Sequence, residues 1–245
     1  MAKKSGTLKP KRAGVPSFWK ISKKEKRFVV RTSPGPHPKS YSYPMLILLR
    51  DILGVVKTRR EALSVLNSGK VLVDGRIVKS EGFPVGLMDV VEFAGLDKAY
   101  RLVPYQGRLL PVPIEAKERD LKLCLVKSKS TGKGSKIGYG LHDGRTIFPE
   151  AEVDIKPGDV CIIKVPKQEF MGSFRLSKGG LALIIRGERS GEVSTVEEVK
   201  AGTFSRGAIA TVRLADGTAS EVPTTILMPL GKQQPELTVS AVGAS

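Results

Sequence analysis

The stretch "LKPKRAGVPSFWKISKKEKR" sets the chain's one tryptophan, Trp19, beside Phe18 inside its densest run of lysine and arginine. Those residue types suit a polyanion: lysine and arginine neutralise phosphate, and an aromatic face stacks on an unpaired base. Two readings of the aromatic pair stand side by side. Either Trp19 and Phe18 anchor an otherwise unfolded arm on its partner, or they pack on the protein body and leave only the flanking cations to the partner.

The charge distribution points the same way. Of the formal +17, from 41 Lys and Arg against 24 Asp and Glu, residues 1–40 hold +11, from 12 basic residues and 1 acidic one, whereas residues 176–245 hold 7 of each. A block of like charge resists folding until it is neutralised, and a basic arm most often meets nucleic acid. Lys3, Lys4, Lys9, Lys11, Arg12, Trp19, Lys20, Lys23, Lys24, Lys26, Arg27 and Arg31 are the candidate contacts. An anionic membrane fits less well. Pro10, Gly14 and Pro16 interrupt any amphipathic helix, and the longest apolar run, "MLILL", is far short of the ~20 residues a span requires. The basic start is followed by no apolar stretch of the kind a secretory signal carries, so the expected compartment is the cytosol.

Other chemistry finds little support. Cys124 and Cys161 are the only cysteines and His37 and His142 the only histidines, without metal-ligand spacing, and the cysteines read as small buried hydrophobes in strands. His142 reads as a turn residue and His37 as part of a rigid Pro-rich loop. "STGKGSK" has the composition of a phosphate-cradling loop but the wrong order at Gly132, Lys133, Gly134 and Ser135, and it reads as a flexible loop. Its Lys133 and Lys136, with Lys127 and Lys129, either reach phosphates or form a solvated hairpin tip. Acids such as Asp143 and Glu150 sit beside turn residues, and no pair of titratable groups has a sequence context that suggests tuning. No enzymatic activity, cofactor, metal or small-molecule substrate is expected.

The elements that position these residues start after the arm. "SYPMLILLRDILG" predicts a helix of about ten residues, with Pro44 in its first turn and Gly54 just past its end. "TRREALSVLNSG" predicts a second helix with a Thr58–Glu61 capping box, an Ala62/Val65/Leu66 face and Gly69 as a left-handed stop. "KVLVDGRIVK" alternates around Asp74-Gly75 as a tight hairpin. Arg59 and Arg60 occupy the first turn of the second helix, where the dipole disfavours cations by roughly 0.3 to 1 kcal/mol each. Such a local cost is expected where function chose the residue. With Lys57, Lys70, Arg76 and Lys79 they can share a surface for phosphate.

"TRREALSVLNSGKVLVDGRIVKSEGFPVGLMDVV" resembles the small RNA-binding fold named after bacterial small-subunit ribosomal protein four. "LKPKRAGVPSFW", "GPHP", "GLMDVV", "KAYRLV", "KLCLVKS", "HDGRTI" and "IKPGDV" match, in order, the archaeal and eukaryotic type of small-subunit ribosomal protein four. The resemblance covers nearly the whole chain. It implies a structural ribosomal protein on small-subunit rRNA, among neighbouring ribosomal proteins, with no catalytic residues. It also implies that the helix start and hairpin face the RNA, through Arg59, Arg60, Lys70 and Arg76.

The middle third reads as short strands, "RLLPVPI", "LKLCLVKS", "KIGYGLHDGRTIF" and "DVCIIKVP", in a small barrel or curled sheet. The last third contains "GGLALIIRGERSGEVSTV", which resembles the KOW motif of ribosomal proteins and transcription factors. Gly187 and Gly191 there fit a tight loop where the backbone takes positive φ or approaches a partner closely. Glu192 and Ser194 depart from the basic residue and glycine usual in that pattern. The expected architecture is α+β and multi-domain. It comprises a basic extended arm (1–42), a helix–helix–hairpin module (43–105), a central β-rich barrel-like domain (106–175), an SH3-like KOW barrel (176–231) and a short extended tail (232–245). The second and third compact modules are expected to lean on each other or on RNA. A free-standing RNA-binding translation regulator is the alternative function.

Overall fold

A computed structural model describes residues 10–19, 21–22, 27–96, 98–132, 137–149, 153–203, 207–232 and 237–239. The described chain is mostly β with few helices. After β1 (Ser42–Pro44), α1 (Met45–Ile47) continues as a wider helical turn over Leu48–Ile52, where the Leu53 N–H reaches back five residues to Leu48 O at 2.9 Å. This helical segment is shorter than the expected ten residues, and Pro44 precedes it rather than opening it. The reason is tertiary: Pro44 is paired with Pro84 of β4 (Pro84–Gly86), and the Met45 N–H is taken by Phe83 O at 2.9 Å.

Helix α2 (Arg59–Asn67) carries the full capping box between Thr58 and Glu61, buries Ala62 and Leu66, and ends before Gly69 at φ +70°. Strands β2 (Val71–Val73) and β3 (Arg76–Ile77) flank a turn with Asp74 and Gly75 both at positive φ, as a tight hairpin with right-handed twist demands. They join β5 (Val90–Phe93), β6 (Ala99–Tyr105) and β7 (Arg108–Ile114) in an antiparallel sheet of order β3-β2-β5-β6-β7. "RLLPVPI" is therefore a strand of this first sheet, hydrogen-bonded along the whole of β6, and the expected boundary at residue 105/106 falls inside a hairpin.

The second sheet contains β8 (Leu121–Thr131), β9 (Ile137–Leu141), β10 (Thr146–Ile147), β11 (Val160–Lys164) and β12 (Glu169–Phe174), in the order β10-β9-β8-β11-β12. Cys124 and Cys161 face one another across β8 and β11 as buried free thiols, which burial pushes upward in pKa. The third sheet is formed by β13 (Leu181–Ile184), β14 (Val193–Lys200), β15 (Ile209–Arg213), β16 (Ala219–Pro223) and β17 (Leu227–Gly231), with β13 between β14 and β17.

One core joins the β4–β5 loop to the second and third sheets: Met88, Leu123, Val160, Leu183, Met228, Leu230, Leu237 and Val239 pack together. Leu237 and Val239 come from the predicted extended tail. They alternate inward around Thr238, whose N–H donates to the Glu118 carboxylate at 2.8 Å, while buried Arg101 pairs with that same carboxylate at 2.6 Å. The described part of the tail is thus clamped to the body. The loop between β13 and β14 is also docked. Gly191 at φ +97° lies against the Pro104 carbonyl, where a β-carbon would collide, and the Gly107 N–H donates to Ser190 Oγ at 2.6 Å. The partner this glycine approaches is the β6–β7 turn of the same chain.

Candidate nucleic-acid interface

Trp19, Ile21 and Val29 of the N-terminal arm pack in one core cluster with Val71, Val91 and Leu109 of the first sheet. Trp19 is 1 % exposed, donates its indole N–H to Ser42 O at 3.0 Å and sits in a core cluster with Tyr43, Leu46 and Leu109. Phe18 packs edge-on against Trp19 and Tyr43, with ring centroids 6.5 and 5.1 Å away. The Trp19 assignment as an RNA contact is therefore corrected. The ring's large apolar area is satisfied inside the protein, and its one polar atom has found a backbone partner. The expectation of a largely unfolded arm is corrected with it for the described residues: Arg12 N–H bonds Arg27 O at 3.1 Å, Val29 N–H bonds Pro10 O at 3.0 Å, and Val29 and Ile21 are buried.

The cations divide into three sets. Lys3, Lys4, Lys9, Lys20, Lys23, Lys24, Lys26, Lys133 and Lys136 lie outside the described residues. Lys11, Arg27, Lys57, Arg59, Arg60, Lys70 and Arg76 are exposed, as a contact with phosphate requires. Arg12 and Arg31 are half-buried, and Arg12 Nε donates to Ile21 O at 2.9 Å.

The helix start is already occupied by its own acid. Glu61 accepts from Lys57 N–H at 2.8 Å and Thr58 N–H at 3.4 Å, and these bonds hold its carboxyl below the ordinary range. Arg59 reaches across to Glu81 in a two-pronged pair of 2.7 and 2.6 Å. The first turn thus carries exposed Arg59 and Arg60 beside an acid of its own, with the Glu61 N–H capped by Thr58 Oγ1 at 3.2 Å. Lys70 stands past the other end of α2, whose rise of 1.5 Å per residue separates Asn67 from Arg59 by ~12 Å. What the fold does bring beside Arg59 is the arm: Phe28, Arg31 and Ser33 line one groove with Arg59, Glu81 and Gly82, about 690 Å³ in volume.

Behind this face lies a cluster that the sequence reading missed. Lys122 of β8 is fully buried, with its ammonium 2.7 Å from Asp74, 2.6 Å from Asp89 and 3.0 Å from Asp143. Arg145 adds a 2.5 Å contact to Asp74, and His37 Nε2 donates to Asp89 Oδ1 at 3.0 Å. His142 accepts from Leu125 N–H at Nδ1 and donates from Nε2 to Leu87 O at 3.1 Å. The hairpin turn, the β4–β5 loop, the arm and the second sheet thus meet at one ionic knot.

Burial alone would push the Asp89 and Asp143 carboxyls up. His37 and Lys122 outweigh it at Asp89, and Lys122, His142 and Arg145 outweigh it at Asp143, so both are held below their ordinary range. Burial would lower Lys122, but Asp74 and Asp89 hold it well above the ordinary lysine value. Burial, reinforced by Lys122, takes His142 down to about 4, leaving a neutral imidazole at pH 7. Titratable groups in tuned surroundings therefore do exist here, against the sequence expectation. They stand at complete burial, where no substrate reaches them, and each charge is answered by another. A signal for the knot was present: Lys122 shares a strand face with Cys124 and Val126, so alternation places its charge on an apolar side.

Among the described residues no group of His, Cys, Asp and Glu could hold a metal ion, and no helix is long and apolar enough to cross a membrane. A basic helix and hairpin tied to a β-rich module through the buried Asp74–Lys122 contact suits a nucleic-acid-binding scaffold, and comparison with known proteins agrees. Residues 6–40 match the RS4NT (NUC023) domain, 48–91 the S4 domain and 96–170 ribosomal family S4e. Small ribosomal subunit protein eS4 of Ignicoccus hospitalis is 36 % identical over 92 % of both chains. That of Methanocaldococcus jannaschii is 37 % identical over 96 % of this chain and 98 % of the relative. The crystal structure of the 30S ribosomal protein S4e from Thermoplasma acidophilum superposes with a TM-score of 0.65 at 29 % identity, covering 79 % of this chain and 96 % of that one. The chain belongs to ribosomal family S4e, a family of structural rather than enzymatic proteins.

Proposed function

We propose that this chain is a structural constituent of the small ribosomal subunit, ribosome-associated in the cytoplasm, that binds small-subunit rRNA and supports its assembly and translation among neighbouring ribosomal proteins. The observation that carries the reading is the pairing of a +17 net charge with exposed Lys57, Arg59, Arg60, Lys70 and Arg76 on a segment matching an S4 domain. Phosphate contacts from these residues, from Lys11, Arg12, Arg27 and Arg31, and from the remaining arm and loop lysines supply affinity through counterion release. The helix–hairpin segment is the RNA-binding module. The third sheet, in which the last strand closes beside the first, is an SH3-like KOW barrel. Its Gly187–Gly191 loop is spent on an internal contact with the β6–β7 turn, so the barrel's RNA contacts lie elsewhere on it. The domain boundaries follow the scheme read from sequence, except that the first module extends through β7 to residue 114 and the arm and tail are built into the body. Sedimentation of cell extract tests the function. The chain should travel with small subunits and survive a moderate salt wash; recovery mostly in the free fraction would favour a translation regulator.

A further inference from the structure

The groove between the arm and α2 has features that general phosphate attraction does not explain. Phe28 stands at it 51 % exposed, with the Arg27 guanidinium 5.6 Å from its ring centroid. Single exposed apolar residues are ordinary on protein surfaces. This one lines a concavity that also holds two arginines, Arg31 and Arg59, against one acid, Glu81. Its backbone is fixed by a bridge to Lys11, so the ring is presented without further ordering. The groove floor is tight as well. Ser33 N–H bonds Gly82 O at 2.6 Å, and a β-carbon at Gly82 would lie 2.6 Å from Ser33 Oγ and 2.8 Å from Arg31 O. Across the floor, Arg59 already holds a planar carboxylate in both prongs of its fork, the geometry in which a guanidinium holds phosphate.

We propose that this groove is a binding site for an unpaired nucleotide of the small-subunit rRNA, with its base stacked on Phe28 and its phosphate replacing the Glu81 carboxylate at Arg59. The proposal rests on the RNA-binding reading above and specifies what kind of RNA it selects. A duplex keeps its base faces covered by stacking and can use only the arginines, whereas a single-stranded or bulged nucleotide can use the ring too.

Binding of the full chain to small-subunit rRNA and to a blunt RNA duplex, each as a function of salt, tests it. Phe28→Ala is expected to weaken rRNA binding by about 5- to 150-fold, the value of one base–aromatic stack. Duplex binding and the salt slope should stay as they are, because no charge is removed. Phe28→Trp should retain wild-type affinity, and ultraviolet crosslinking should place a nucleotide on the peptide containing Phe28. Unchanged rRNA affinity of Phe28→Ala, or an equal loss on rRNA and duplex, overturns the proposal while leaving the RNA-binding function standing. Wild-type protein that binds neither RNA overturns the function itself.

Discussion

Arg59 with Glu81 and Lys122 with its three aspartates are built from the same kinds of side chain at similar distances, yet they do opposite work. The first pair is wet: the Arg59 side chain is 60 % exposed. Water and salt screen it, and exposed pairs are worth roughly 0–1 kcal/mol, so the Glu81 carboxylate can be exchanged for a phosphate at little cost. Lys122 and its partners are dry. Their charges were stripped of water on folding, and removing one leaves the others uncompensated in a poor solvent. Ion pairing on a surface is an adaptable contact, and in the interior it becomes a condition of folding. The second fixes the helix–hairpin segment against the second sheet, and the proposed function leaves the first to the partner.

The sharpest way to break this contrast is Lys122→Met. Three carboxylates then share a site with only Arg145 and His37, and a loss of ~3–5 kcal/mol in unfolding free energy is expected from urea titration. Arg59→Gln should cost no more than about 1 kcal/mol in the same measurement. Similar losses for the two would show that burial does not separate them.

Charge reversal at the wet site should do the converse. The double variant Arg59→Glu, Arg60→Glu is expected to lower rRNA affinity tenfold or more, since each reversal turns an attraction into a repulsion worth about a kcal/mol. Its thermal midpoint should move by only a few degrees: acids suit a helix N-terminus, but Arg59 gives up its pair with Glu81. Intact RNA binding would make both arginines purely structural.

pH separates the regions more gently. His142 is held neutral down to about 4 from an ordinary 6.5, so the unfolded chain takes up its proton first and stability should decline as pH falls from 6.5 toward 4. Asp89 and Asp143, held below the ordinary 3.8, extend that loss at lower pH. Lys122, held above 10.5, keeps its contribution below that value and surrenders it as pH rises beyond. His142→Asn, if it folds, should flatten the decline between 6.5 and 4; an unaltered profile would assign the decline to other groups.

The smallest effect is expected at Trp19. Its emission should be blue and poorly quenched in free protein and hardly change on adding rRNA, because the ring is already in the core. Red-shifted emission that becomes protected with RNA would restore the picture of an arm that folds only on its partner.

Local chemistry made much of this legible. The capping box at Thr58 and Glu61, the left-handed Gly69 and the Asp74-Gly75 turn depend on neighbours within four residues, and each occurs as the spacing predicted. The cysteines were likewise readable as buried strand residues, though their facing register was not. Trp19 was undecidable, because stacking on a base and packing in a core ask for the same aromatic surface. Asp74 was read only as a turn residue; that it also binds Lys122, 48 positions away, and Arg145, 71 positions away, has no local trace.

By itself, then, the sequence determined the basic character of the chain, its ribosomal family, and the elements closed by short-range capping and turn rules. The tertiary structure alone decided which charges meet water. It assigned β7 to the first sheet, drew the arm and Leu237–Val239 into the core, and turned Lys122 inward. The physical reason is that a charge is cheap or costly according to its solvent, and solvent exposure is set by segments far apart in sequence that pack over it.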